Sequence, residues 1–167
     1  HKSCDANTKK ILLTNPNTPF GVTLYDEGLR KIVDIAAKHD AWILCDEVYR
    51  GLDENYMPSI LDYGYHKAIS ISSMSKMYSM AGTRIGWIVC RDHEMYEVMK
   101  TRRSYNTICC GIWDEIIASI ALEHYPALWA RARSILEPNR KIVEAWEASP
   151  PHQHLRAKAM RTPCRID

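Results

Sequence analysis

The sequence predicts an α/β fold, a three-layer α/β/α arrangement built on a mostly parallel sheet. Three observations predict it. Short apolar runs of strand length alternate with longer segments whose apolar residues recur at helical spacing. The run Ala41-Trp42-Ile43-Leu44-Cys45 is apolar throughout, as a strand buried on both faces would be. Polar residues able to carry chemistry cluster at the ends of such runs, where open α/β sheets bind their ligands.

The elements follow in order. Ile11-Leu12-Leu13 reads as a strand running into the tight loop Asn15-Pro16-Asn17-Thr18-Pro19-Phe20-Gly21. Thr23 to Asp26 offers a variant capping box, with Asp where Glu or Gln is usual. Leu29, Ile32, Val33 and Ala36 then mark a helix that ends at His39-Asp40. Ala41–Cys45 is the second strand, Ala68–Ser72 the third and Ile85–Cys90 the fourth. From Asp92 onward the pattern is helical. Ile112, Ile116 and Ile120 share one face, and Leu128, Ile135 and Ile142 another, with Leu136, Val143 and Trp146 beside them. Pro138 lies inside the last helix, where it removes a backbone donor and crowds the preceding turn, so a kink or break is expected. Past Ser149, Pro150-Pro151-His152-Gln153-His154 breaks any helix, and the Arg-rich remainder has no periodicity. Residues 149–167 are expected to be a disordered or non-native tail without function.

Composition narrows the function. At 167 residues the chain is long enough for one domain with a real core. A net charge of +2 makes no electrostatic case for nucleic acid or a membrane surface. No stretch approaches the roughly 20 apolar residues of a membrane span, and His1 to Asp5 lacks the apolar centre of a signal peptide. The six cysteines form no C-x-x-C pair and no His cluster completes a zinc pattern, so no metal site is expected. Cys45 and Cys90 sit in apolar runs as small core hydrophobes. A reducing, cytoplasmic protein is expected.

Three clusters stand out. Asp46-Glu47-Val48-Tyr49 follows the second strand, and a carboxylate there is costly to bury unless a cation or donors face it. The plain reading is a helix cap or a salt bridge. Ser73-Met74-Ser75-Lys76 follows the third strand. A lysine desolvated there becomes a nucleophile toward carbonyls, and two hydroxyls beside it suit a phosphate. The plain reading is a polar turn with a surface lysine. Ala81-Gly82-Thr83-Arg84-Ile85-Gly86 opens the fourth strand, and arginine suits bidentate binding of phosphate or carboxylate. The plain reading is a surface arginine in a tight turn. This third cluster reaches the same sheet edge only if its strand runs antiparallel to the others.

Taken together, the clusters resemble the class I/II aminotransferases of fold-type I, which depend on pyridoxal 5′-phosphate (PLP). A strand followed by D-E-V-Y, then a strand followed by S-x-S-K, then G-x-R-x-G with its Arg eight residues beyond the Lys, is that family's order. Asn15 to Gly21 resembles its N-P-x-N-P-T-G loop, and the stretch from Arg133 to Arg140 resembles the helix leading to its small domain. The resemblance runs from about Ile11 to Trp146. It implies that residues 1–148 are part of the PLP-binding large domain.

By that resemblance Lys76 forms the imine with the PLP aldehyde and later shuttles the substrate proton. Asp46 pairs with the pyridine nitrogen, and Tyr49 donates to the phenolic oxygen. Ser73, Ser75 and Arg84 hold the phosphate. Thr18 stands where the family has an Asn that also bonds the phenolic oxygen, so neighbouring Asn17 is a candidate to compensate. Phe20 replaces the usual Thr of that loop. The implied reaction moves an amino group between an amino acid and a 2-oxo acid, in a homodimer when the protein is full length. Family members are more than twice this length, and the remainder supplies the ring that stacks on PLP and the Arg that grips the substrate carboxylate. The chain is therefore expected to be a central fragment with little or no turnover.

Three other readings compete. A PLP-dependent lyase or cyclising enzyme shares the same cofactor residues, and a truncated, non-catalytic PLP-binding protein needs no turnover. Ser73-Met74-Ser75-Lys76 also matches the S-x-x-K of penicillin-binding proteins, with Ser73 as nucleophile. In that family the Ser opens a helix, whereas this segment leaves a strand, and K-T-G is missing downstream.

Overall fold

The structure, a computed structural model, describes residues 4–19, 21–52 and 57–149. Phe20 and the tail from 150 onward lie outside the described residues. Four strands, β1 (Lys10–Thr14), β2 (Trp42–Asp46), β3 (Ala68–Ser73) and β4 (Gly86–Cys90), form one sheet in the order β1-β2-β3-β4. The first three are parallel and β4 is antiparallel to β3. The fold is α/β with a mostly parallel sheet, as the alternation of short and long apolar segments predicts. Four helices accompany it: α1 (Asp26–Lys38), α2 (His93–Asn106), α3 (Ile112–Glu123) and α4 (Tyr125–Ala148).

Side chains alternate across a strand, so register decides which face each residue serves. Ile43, Cys45 and Ala68 point to the face that α1 covers with Leu29 and Ala36, and Ile60 of a one-turn 3-10 helix (Ile60–Tyr63) closes this core. Burying Leu29, Ile43 and Ile60 contributes roughly 1.5–3 kcal/mol each. On the other face Leu12 is 63% exposed and Ile88 57%. β2 is therefore not buried on both faces: Ile43 and Cys45 are buried, whereas Trp42, Leu44 and Asp46 are half-buried.

A second core sits at the carboxyl edge of the sheet. There Ala118 and Ala121 of α3 pack against Met74, Met77 and Tyr78 of the loop between β3 and β4, flanked by Trp87, Leu128 and Trp129. The small residues of α3 make this close approach, while Ile112, Ile116 and Ile120 remain exposed on the opposite side. Ile135, Ile142, Val143 and Trp146 of α4 are exposed as well.

Two local expectations differ from the structure. The N-cap of α1 is Tyr25 and makes no side-chain cap bond, so Thr23 and Asp26 form no capping box. Asp26 is taken instead by Arg30 at 2.8 Å and by the Tyr63 hydroxyl at 3.1 Å. Helix α4 continues through Pro138 without a break. A proline removes one bond of the ladder, and here the turns on either side carry the helix on.

Candidate active site at the carboxyl edge

The ends of β1, β2 and β3 lie side by side. Thr14 is level with Asp46, and Asp46 with Ile71. The main chain ties the exits together: the Asn15 amide donates to the Asp46 carbonyl at 2.8 Å, and the Glu47 amide to the Ile71 carbonyl at 2.8 Å. Asn15 is buried, and its side chain both donates to the Leu24 carbonyl and accepts from the Leu24 amide, which folds the 15–24 loop back on itself. This residue sets the shape of the loop from which Asn17 and Thr18 project.

Asp46 ends β2. Its Oδ1 accepts the Val48 amide at 3.0 Å, starting a tight turn that closes where the Arg50 amide donates to the Glu47 carbonyl. Tyr49 stands within that turn. Lys76 stands in the turn after β3, with Nζ 5.9 Å from the centre of the Tyr49 ring. Ser73 ends β3, and its Oγ accepts the Ser75 amide at 3.3 Å.

β4 starts at this edge and runs away from it, because it is antiparallel to β3 and its first residue, Gly86, pairs with Ser73. A side chain at 86 would meet the Ser72 carbonyl at 3.0 Å and Ser73 Cβ at 3.3 Å, which is why glycine opens this strand. Arg84, two residues earlier, is thereby brought to the same edge as Ser73 and Ser75. It adopts a left-handed conformation (φ 52°), is exposed, and its Nη1 donates to the Ala81 carbonyl at 2.9 Å.

A cavity of about 610 Å³ opens beside Asp46, lined also by Thr14, Asn17, Leu44 and Ile71. Asn17 places its side-chain oxygen, buried and without a hydrogen-bond partner, in this region. Thr18 is exposed instead. The compensating position weighed from sequence is thus the one that lines the cavity, while Thr18 is not brought to it. Next to Asp46, Cys45 has its thiol pushed well above the usual range, first by burial and then by the carboxylates of Glu47 and Asp46.

The donor set fits PLP. A carboxylate at a strand end and an unpartnered amide oxygen flank a partly apolar cavity. An amine stands over a phenol ring, two serines follow one another at the end of β3, and an arginine precedes the paired start of β4 at the same edge. Among the described residues no group of three or more His, Cys, Asp or Glu is arranged to hold a metal. Ser73 closes a strand and a turn follows it, so it does not open a helix as the S-x-x-K reading requires.

The sequence model of the family "Aminotransferase class I and II" matches residues 1–145. The chain belongs to that family. The aspartate aminotransferase of Thermotoga maritima is 36% identical over 121 residues, covering 70% of this chain and 31% of that protein. The capreomycidine synthase of Streptomyces vinaceus is 26% identical over 143 residues, covering 85% of this chain and 36% of that one. A solved PLP-dependent aminotransferase from Streptococcus suis 89-1591 superposes with a TM-score of 0.83 at 39% identity, over 89% of this chain and 40% of that chain. The chain thus spans about a third of the length of these curated aminotransferase-family relatives.

One residue of this aminotransferase edge was undervalued from sequence. In the sequence Glu47 is one letter of the cluster Asp46-Glu47-Val48-Tyr49, whose plain reading is a helix cap or a salt bridge. Glu47 is 3% exposed, accepts three hydrogen bonds and faces Arg50 as an ion pair. The signal was present in the motif itself, since a second carboxylate directly after a buried strand requires buried donors.

Proposed function

We propose that this chain is the cofactor-holding part of a PLP-dependent aminotransferase that moves an amino group between an amino acid and a 2-oxo acid. The single observation that carries the reading is the approach of Lys76 Nζ to the Tyr49 ring across the ends of two neighbouring parallel strands. Bound PLP supplies an electron sink for the charge that develops on the substrate carbon.

The residues of this chain divide the remaining work. Lys76 attaches the cofactor covalently and moves a proton to and from the substrate carbon. Asp46, half-buried beside an apolar cavity, holds a proton on the pyridine nitrogen. Tyr49 donates from its phenol to the ring oxygen, and Asn17 joins it in the place the family gives to the position of Thr18. Ser73, Ser75 and Arg84 supply charge-assisted donors to the phosphate. Arg84 exchanges its bond to the Ala81 carbonyl for that role. The full-length protein acts as a cytoplasmic homodimer in this reading, and the exposed Tyr105, Ile108 and Trp113 suit a subunit interface. Among the described residues no helix is long and apolar enough to cross a membrane.

A second reading has one observation behind it: a relative covering 85% of this chain is named as a synthase, not an aminotransferase. Titrating the chain with PLP tests the shared part. The dissociation constant is expected to rise from wild type to Asp46→Asn, and to rise most in Lys76→Ala. Equal constants for all three would end both readings. In the full-length protein, production of a 2-oxo acid that depends on an added 2-oxo acid acceptor favours transamination. Loss of substrate without that dependence favours the synthase reading.

A further inference from the structure

Glu47 is the one charged side chain among the described residues that is buried. An ionised carboxylate in that position costs several kcal/mol unless its lone pairs are met. Here they are. Oε1 accepts from Ser59 Oγ at 3.1 Å and from the Ile60 amide at 2.7 Å. Oε2 accepts from Ser70 Oγ at 2.8 Å and faces Arg50 Nε at 3.4 Å. The donors come from three places: strand β3, the start of the 3-10 helix, and the turn that carries Tyr49.

Glu47 is bonded in the sequence to Asp46. Successive residues at a strand end point to opposite faces, so Asp46 lines the cavity while Glu47 enters the packed side of the sheet. The turn between them and Arg50 is clamped at both ends: Val48 to the Asp46 carboxylate, Arg50 to Glu47 through backbone and side chain. Tyr49 lies between the clamps. We infer that Glu47 is a positioning residue, which fixes the Asp46 carboxylate and the Tyr49 ring where the cofactor meets them and touches neither cofactor nor substrate. This rests on the reading that Asp46 and Tyr49 contact the PLP ring. Glutamine at 47 has the same shape, but its amide group would turn a donor toward either Arg50 or the Ile60 amide, neither of which can accept.

The test compares the 167-residue chain with its Glu47→Gln and Asp46→Asn variants. Without cofactor, amide exchange at Val48 and Arg50 is read against that of β1. With PLP, affinity and the ratio of the bound cofactor's two absorbance bands are read at one fixed pH. In Glu47→Gln, exchange at Val48 and Arg50 is expected to speed at least tenfold with β1 unchanged. PLP affinity should fall about tenfold, with the band ratio moving toward that of Asp46→Asn. Native exchange at both amides and a native band ratio would overturn the inference, even with a lowered melting temperature, because Glu47 would then be structural only. Should Glu47→Gln fail to fold cooperatively, Ser70→Ala decides. It removes one donor and leaves the carboxylate, and several-fold changes in the same direction are expected; unchanged values overturn the inference. A wild-type chain that binds no PLP counts against the proposed function, and the exchange rates then judge Glu47 alone.

Discussion

Lys76 Nζ stands 5.9 Å from the centre of the Tyr49 ring, although one residue follows β3 and the other follows β2. The pairing depends on β2 and β3 running parallel, since their exit turns then leave at the same edge of the sheet. Replacing Tyr49 by Phe keeps the ring under the amine and removes the phenol donor. PLP affinity of Tyr49→Phe is expected to fall about tenfold, the worth of one hydrogen bond to a charged acceptor, while the thermal midpoint stays at the wild-type value. A titration and a melting curve on the same sample check both halves.

Arg84 gives a second prediction. Its guanidinium is exposed and holds only its own turn, through Ala81. Arg84→Ala should therefore leave stability within about 0.5 kcal/mol of wild type, as surface changes do. Its affinity for PLP should drop about ten- to hundredfold, the loss of a charge-assisted phosphate contact. Affinity for pyridoxal, which lacks the phosphate, should not change between the two proteins.

Tyr63 sets a pH dependence. Burial, and then the hydrogen bond it donates to Asp26, push its phenol from 10.0 up to about 12. The sign follows from proton counting. Between pH 10 and 12 the unfolded chain has lost this proton and the folded chain keeps it, so stability is fully present below pH 10 and is lost as pH rises toward 12. Tyr65 and Tyr78 are raised too and add to the same slope. Tyr63→Phe should show a shallower fall in thermal midpoint from pH 9.5 to about 11.5; an identical fall would remove Tyr63 from the account.

Gly51 joins the site to the last helix. It adopts φ +99°, and a side chain there would collide with Met77 Sδ and approach Trp129 Cη2 at 2.9 Å. The Gly51 carbonyl also accepts from Arg133 Nη2 at 3.2 Å. Gly51→Ala is expected to cost about 1–3 kcal/mol through overpacking and left-handed strain, measured by denaturant unfolding. Because Met77 follows Lys76 directly, the same variant should also weaken PLP binding.

Much of this was legible in the sequence. Strand positions, the order of the polar clusters and their place at strand ends all follow from apolar runs and their punctuation. The antiparallel course of β4 was posed as a condition and is met, because Gly86 permits close pairing with Ser73. The misses have physical causes. Thr23 and Asp26 have the letters of a capping box, but Arg30 and Tyr63 compete for the carboxylate. Pro138 is a helix breaker by chemistry, yet one lost bond does not end a helix of 24 residues. The isoleucines of α3 share one face, as their spacing predicts, but close packing on Met74 and Met77 turns the alanines of the other face inward. The motif shows that Glu47 needs buried donors, but not that Ser59 and Ser70, distant in sequence, converge on it to supply them.

The most direct measurement is reductive trapping. The chain is mixed with PLP, treated with borohydride and mapped by peptide mass spectrometry. A single pyridoxyl group on Lys76, absent in Lys76→Ala and not transferred to another lysine, is the predicted result. Label spread over surface lysines such as Lys9, Lys31 and Lys100, with no preference for Lys76, would contradict the account.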